Sequence, residues 1–158
     1  GRTARPSASD MSEHKATVRW SRAGKDFTYK TYSRDHVWTV NGNEIPASAT
    51  TAYLGNPNRV DPEAALVAAL SSCHMLTFLA LAANKGFVVE SYEDAAVGHL
   101  EKNAAGKLAI TRVELRPKIV YSGSKQPTAA DLEWLHDKAH RECFIANSVT
   151  TDVRVVPE

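Results

Sequence analysis

The stretch "DPEAALVAALSSCHMLTFLALAANKGF", Asp61 to Phe87, decides how the rest of the chain is read. Asp61 suits an N-cap, Pro62 suits the first helical position, and Glu63 adds a favourable charge to the first turn. Nothing interrupts a helix from there to about Lys85, and Gly86 supplies the C-terminal stop. The pattern predicts one long helix. Leu66, Leu70, Leu76, Phe78, Leu79 and Leu81 point in several directions, which is more than one face of a sheet can bury. Ala65, Ala69, Ser72 and Ala80 are small enough to let another helix approach closely. The missing cover is either the same helix of a second subunit or a second helix of this chain, and a homodimer is the expected solution. Ala64 to Ala83 is also about long enough to span a bilayer. Its middle carries Ser71, Ser72, His74 and Thr77, so a helix buried in a soluble protein is expected and no membrane partner.

Upstream, "HKATVRWSR" alternates Ala16, Val18 and Trp20 with polar neighbours, and "DFTYKTYS" places Phe27, Tyr29 and Thr31 on one face. Both have the strand period. "HVWTVNGNEIPAS" reads as strand, tight turn at Asn41-Gly42, strand. Downstream, "FVVESYEDAAVGHLEKN" and "KLAITRVELRPKIVYSG" read as two long strands, with Pro117 marking an edge or a bulge in the second. "QPTAADLEWLHDKAHREC" predicts a second helix, capped by Thr128 with Asp131 three residues on, and striped by Leu132, Leu135 and Ala139. "SVTTDVRVV" closes as a strand. The expected class is α+β with antiparallel sheets, in the order β-β-β-β-α-β-β-α-β.

The length of 158 residues suits one domain with a sizeable core. Residues 1–10, "GRTARPSASD", are expected to be an expression scar or a disordered leader, and residues 11–158 a single domain. Outside that leader, acidic and basic residues balance, so the composition points to neither nucleic acid nor an anionic membrane. The leader lacks the apolar segment of an export signal, so the cytoplasm is the default compartment. There, two cysteines are expected to be free or catalytic rather than permanently bridged.

Cys73 and Cys143 lie 70 positions apart, each in a stretch read as helical. Taken alone, each is most simply a packing residue. A metal site would use His140 and Cys143, at i and i+3, with Cys73 or His74. Cys73 and His74 are adjacent and point about 100° apart on a helix, which leaves three ligands and no convincing fourth. Both histidines also suit a hydrogen-bonded, partly buried role. No serine-hydrolase elbow and no phosphate loop is present in the sequence.

"DPEAALVAALSSCHMLTFLALAANKGF" together with "AHRECFIANSV" resembles the OsmC/Ohr family, the osmotically inducible and organic hydroperoxide resistance proteins. The shared pattern is an Asp-Pro-Glu helix start, a cysteine ten residues after the glutamate, and a second cysteine followed by Phe-Ile-x-Asn-Ser. "SSCH" and "SRDHVW" place the likeness on the OsmC-like branch.

The resemblance implies an OsmC-like fold: antiparallel sheets wrapped around long central helices in an intertwined homodimer. It implies a thiol peroxidase that reduces organic hydroperoxides, with hydrogen peroxide as a poorer substrate. Cys73 would be the attacking thiolate and Cys143 the resolving thiol, joined in a disulfide that a lipoyl-type or thioredoxin-like dithiol reduces. No metal, haem or flavin is implied. The family also sets an arginine and a glutamate beside the thiol. Glu63 matches by motif, and Arg34 is the preferred arginine over Arg19 and Arg22. In a straight helix Glu63 and Cys73 stand about 15 Å apart. So either the helix breaks, or Arg34 and Glu63 reach Cys73 of the other subunit. Leu70, Leu76, Trp38 and Phe144 are expected to line an apolar pocket. The rival function is a non-catalytic protein of the same fold that holds a small apolar ligand between subunits.

Overall fold

The computed structural model describes residues 11–156; the expected leader lies outside them. The chain forms two compact units, one running to Pro62 and one starting at Glu63.

The first unit holds β1 (Thr17–Arg19), β2 (His36–Val40) and β3 (Asn43–Ala47) in one antiparallel sheet of order β1-β2-β3. The tight turn forms as expected, with positive φ at both Asn41 and Gly42. The segment "DFTYKTYS" is not a strand. The hydroxyls of Thr28 and Thr31 bond each other at 2.6 Å, and the Thr28 carbonyl accepts from the amides of Thr31 and Tyr32. These local bonds give the backbone a turn in place of a ladder. The alternating aromatics serve a different purpose. Phe27 packs on Trp20 at 5.7 Å and on Tyr32 at 5.2 Å between ring centres.

The second unit is built on α1 (Pro62–Asn84). The helix is unbroken, and it ends as its sequence dictates. Gly86 takes φ +82°, its amide donates to Ala83 O at 3.0 Å, and the Phe87 amide donates to Ala82 O at 3.0 Å. That is the paired closure a left-handed glycine permits. Leu70, His74, Phe78 and Ala82, four residues apart, form the buried stripe. Ala64, Ala68, Ser72, Leu76 and Ala80 form an exposed stripe on the opposite side, with Leu76 62% exposed. By length and composition α1 could cross a bilayer; 17% of that apolar window is buried within the chain.

Each of the two long strands expected after α1 divides. The first becomes β4 (Val88–Asp94) and β5 (Val97–Lys102), the second β6 (Leu108–Leu115) and β7 (Pro117–Ser122). β4 pairs with β7 in one sheet, while β5, β6 and β8 (Asp152–Val155) form another. The break has a visible cause. The Asp94 carboxylate accepts the Arg116 amide at 2.6 Å and the Ser71 hydroxyl at 2.5 Å, and Pro117 has no amide to give. A side chain thus replaces the ladder where the two strands change sheet. β8 lies parallel to β6, with Val153 opposite Val113, so the sheets are antiparallel except at this pair.

α2 (Ala129–Glu142) begins with the expected reciprocal cap: the Asp131 amide donates to Thr128 Oγ1 at 3.1 Å, and the Thr128 amide to Asp131 Oδ2 at 2.9 Å. Leu135 and Ala139 are fully buried with Phe78, Ala82 and Phe87, and Leu132 packs against this group. A second cluster joins Leu70 to Val113, Leu115 and Val153. α1 contributes to both clusters, and His74 lies between its two contributions.

Candidate active site

Cys73 stands on α1, half-buried, between the exposed stripe and the buried one. Its carbonyl accepts from Thr77 Oγ1 at 2.9 Å, as threonines on helices commonly arrange. Cys143 directly follows α2 as its C-cap, where the backbone leaves the helix with ψ 113°. It is therefore a helix cap rather than a helical residue. A short 3₁₀ turn, Ala146–Ser148, follows and secures it: the Asn147 amide donates to Cys143 O at 3.0 Å, and the Ala146 amide to Cys143 Sγ at 3.4 Å.

The two thiols are neighbours: both cysteines are free, and Cys73 lies close enough to raise the pKa of Cys143. Cys143 is 1% exposed. Burial, and then the neighbouring Cys73, push its thiol above the ordinary cysteine range. The pair is thus unequal: one sulfur half-exposed, the other enclosed and held protonated. Leu76 and Phe144, 62% and 80% exposed, lie close to the two cysteines in sequence and leave apolar surface open. Leu70 does not join them. It is fully buried in the core, so the expected pocket loses that wall. Trp38, in the first unit, is half-buried and donates its indole N–H to His36 Nε2 at 3.0 Å.

Glu63 stands in the first turn of α1. Because α1 is continuous, it sits about 15 Å along the axis from Cys73, and the option of a broken helix falls away. Arg34 belongs to the first unit. Its terminal nitrogens donate to the carbonyls of Tyr32 and Tyr29, each at 2.6 Å, and its guanidinium lies 3.5 Å from the Tyr32 ring centre. Arg19 bonds Thr39 and Glu44, and Arg22 bonds the Lys25 carbonyl.

His74, read in the sequence as a hydrogen-bonded and partly buried histidine, has a partner that was not singled out there, His136. His74 is 1% exposed, and its Nε2 lies 3.0 Å from Nδ1 of His136 on α2. The two rings stack with centres 5.3 Å apart and planes 8° from parallel. Burial first, then His136 and His140, lower the His74 pKa to about 4, and burial lowers that of His136. The available signal was spacing, since His136 precedes Cys143 by seven residues, or two turns. Among the described residues no three His, Cys, Asp or Glu side chains gather as a metal-binding group, so the four candidate ligands do not converge.

The family model described as OsmC-like protein matches residues 55–158, and the chain belongs to that family. Among solved structures, it is 50% identical to an OsmC-like protein of unknown function from Vibrio cholerae, with a TM-score of 0.89 over 94% of this chain and 100% of that one. An organic hydroperoxide resistance protein from Legionella pneumophila is 14% identical, with a TM-score of 0.70 over 94% and 98% of the two chains. The organic hydroperoxide resistance protein of Bacillus subtilis is 16% identical, with a TM-score of 0.64 over 92% and 98%. The last two likenesses concern the fold. No curated protein matches the chain.

Proposed function

We propose that the protein is a cysteine peroxidase that reduces organic hydroperoxides to alcohols. The observation that carries this reading is the proximity of a half-buried thiol, Cys73, to a buried one, Cys143, whose pKa it raises. The Cys73 thiolate attacks the distal oxygen of the hydroperoxide. The O–O bond breaks, the alkoxide takes a proton and leaves as the alcohol, and Cys73 becomes a sulfenic acid. Cys143 then attacks the sulfenyl sulfur, forming the disulfide and releasing water. A lipoyl-type or thioredoxin-like dithiol returns both thiols by exchange and becomes a disulfide itself. This cycle suits a reducing compartment such as the cytoplasm. The names of the Legionella and Bacillus structures support the substrate class.

The same reading takes the protein as a homodimer. The exposed stripe of α1 is small-sided apart from Leu76, which suits close approach of a second copy. Glu63 and Arg34 then act on Cys73 of the other subunit, where a cation favours thiolate and holds the peroxide oxygens.

The test is a thiol titration before and after one equivalent of cumene hydroperoxide. Two thiols lost per chain, and recovered with dihydrolipoamide, is the expected result. Cys143→Ser should retain one turnover and leave a trappable sulfenic acid, whereas Cys73→Ser should consume nothing. Unchanged wild-type thiols would instead mark the rival, a binder of small apolar ligands. A heterodimer of Cys73→Ser with Arg34→Met/Glu63→Gln should keep about half of the wild-type activity. A dead heterodimer would sink the shared site.

A further inference from the structure

α1 and the end of α2 bring the two cysteines near each other, and a polar link between the helices lies one residue from Cys73 and two turns from Cys143. His74 follows Cys73 on α1, and His136 lies two turns before Cys143 on α2. Apolar side chains pack on this link, although Asp137, His140 and Arg154 line the same cleft. His74 occupies the buried stripe between Leu70 and Phe78, and His136 rests on Phe78 with ring centres 4.6 Å apart. At the position of His74 an aliphatic side chain would fill the place without the cost of burying a polar ring. A buried imidazole is tolerated here because its nitrogen is satisfied, and the bond adds what an aliphatic contact lacks, a fixed distance and direction.

We propose that the His74–His136 bond is a positioning device that sets the register of α1 against α2 and so keeps Cys143 within reach of oxidised Cys73. The proposal rests on the thiol-peroxidase reading and assigns the two histidines to its second step. In that step Cys143 Sγ bonds to the sulfenyl sulfur of Cys73, the S–O bond breaks, and the departing hydroxide takes the Cys143 proton as water. Neither histidine is placed at a sulfur by any contact in the structure, so they act through the helices that carry the cysteines.

The attack on hydroperoxide needs only Cys73 and its surroundings, whereas closure of the disulfide needs two helices in register. Loosening the bond should therefore separate the two steps. A slow closure leaves Cys73 as sulfenic acid for longer, open to a second hydroperoxide that takes it to sulfinic acid.

The experiment uses the full chain, rapid-quench alkylation and mass spectrometry with cumene hydroperoxide. His136→Leu removes the bond. His136→Asn places an amide where Nδ1 stood and restores it. Expected is Cys73 oxidation within about twofold of wild type in both, but closure on the order of tenfold slower in His136→Leu, with sulfinic acid accumulating. His136→Asn should close within about threefold of wild type. If His136→Leu does not fold, His136→Gln takes its place, because its longer side chain carries the amide past His74 Nε2. The proposal is overturned if the disrupting variant closes at the wild-type rate, loses both steps equally, or is matched by His136→Asn. Diamide, which converts two thiols to a disulfide without hydroperoxide, keeps the two readings apart. Wild type that ignores hydroperoxide yet closes with diamide faster than His136→Leu would end the peroxidase reading and keep the positioning role. Equal diamide rates would end the positioning role.

Discussion

Acid should unfold this protein earlier than its carboxylates alone require, and His74 is the reason. In the unfolded chain an imidazole titrates near 6.5; in the fold, burial and the neighbouring His136 and His140 lower His74 to about 4. Between these two values the unfolded chain binds the proton and the folded chain does not, so stability falls as pH falls through that window and is unaffected above it. The full difference corresponds to roughly 3 kcal/mol, of which about three quarters is lost by pH 4.5. The other charged groups at this cleft are Asp137 on α2 and Arg154 on β8, the latter paired with Asp152 at 2.8 Å. His74→Gln keeps a hydrogen-bonding atom near Nε2 and removes the titration. Urea unfolding of both proteins, reduced and at one protein concentration, should give similar midpoints at pH 7.5. At pH 4.5 the wild-type midpoint should have dropped by about 1 M more than that of His74→Gln. Parallel losses in the two proteins would show that His74 does not stay neutral in the fold, and the burial argument would fail.

Two further outcomes follow from packing and capping. A Cβ at Gly98 would come within 2.4 Å of Val67 Cγ2, so Gly98→Ala should cost about 1–3 kcal/mol in urea unfolding, and Val67→Ala in the same chain should recover most of it. Thr128→Ala should lower stability by about 1 kcal/mol, while Thr128→Ser, which keeps the hydroxyl for the Asp131 amide, should not.

The features legible in the sequence were those made by neighbours along the chain. Asn41-Gly42, the Thr128 cap and the Gly86 stop each depend on residues within a few positions, and each formed as read. The division of the long strands was not legible, because it depends on Asp94 receiving an amide from Arg116, 22 positions away. The false strand at "DFTYKTYS" had the right period but hid a Thr28–Thr31 bond that makes a turn instead. At the candidate site, spacing alone left Cys73 and Cys143 as packing residues. Only the family pattern paired them, and the structure places them as neighbours. Leu70 was expected in a pocket with Leu76, Trp38 and Phe144, but it belongs to the stripe of α1 that is sealed in the core.

The nearness of the two cysteines also bears on how the chain can come apart. A bond between Cys73 and Cys143 would close a ring of about 70 residues, which in the chain-entropy model restricts the unfolded ensemble by about 4 kcal/mol. The ring would take in the second half of α1, β4 to β7 and all of α2, while the first unit and β8 would stay outside it. Oxidation would therefore brace the helical pair and its sheet while leaving the two ends of the chain as free to unfold as before. Under the proposed peroxidase cycle each turnover would tighten and release most of the second unit, and a slow supply of dithiol would leave the protein standing in its more durable form.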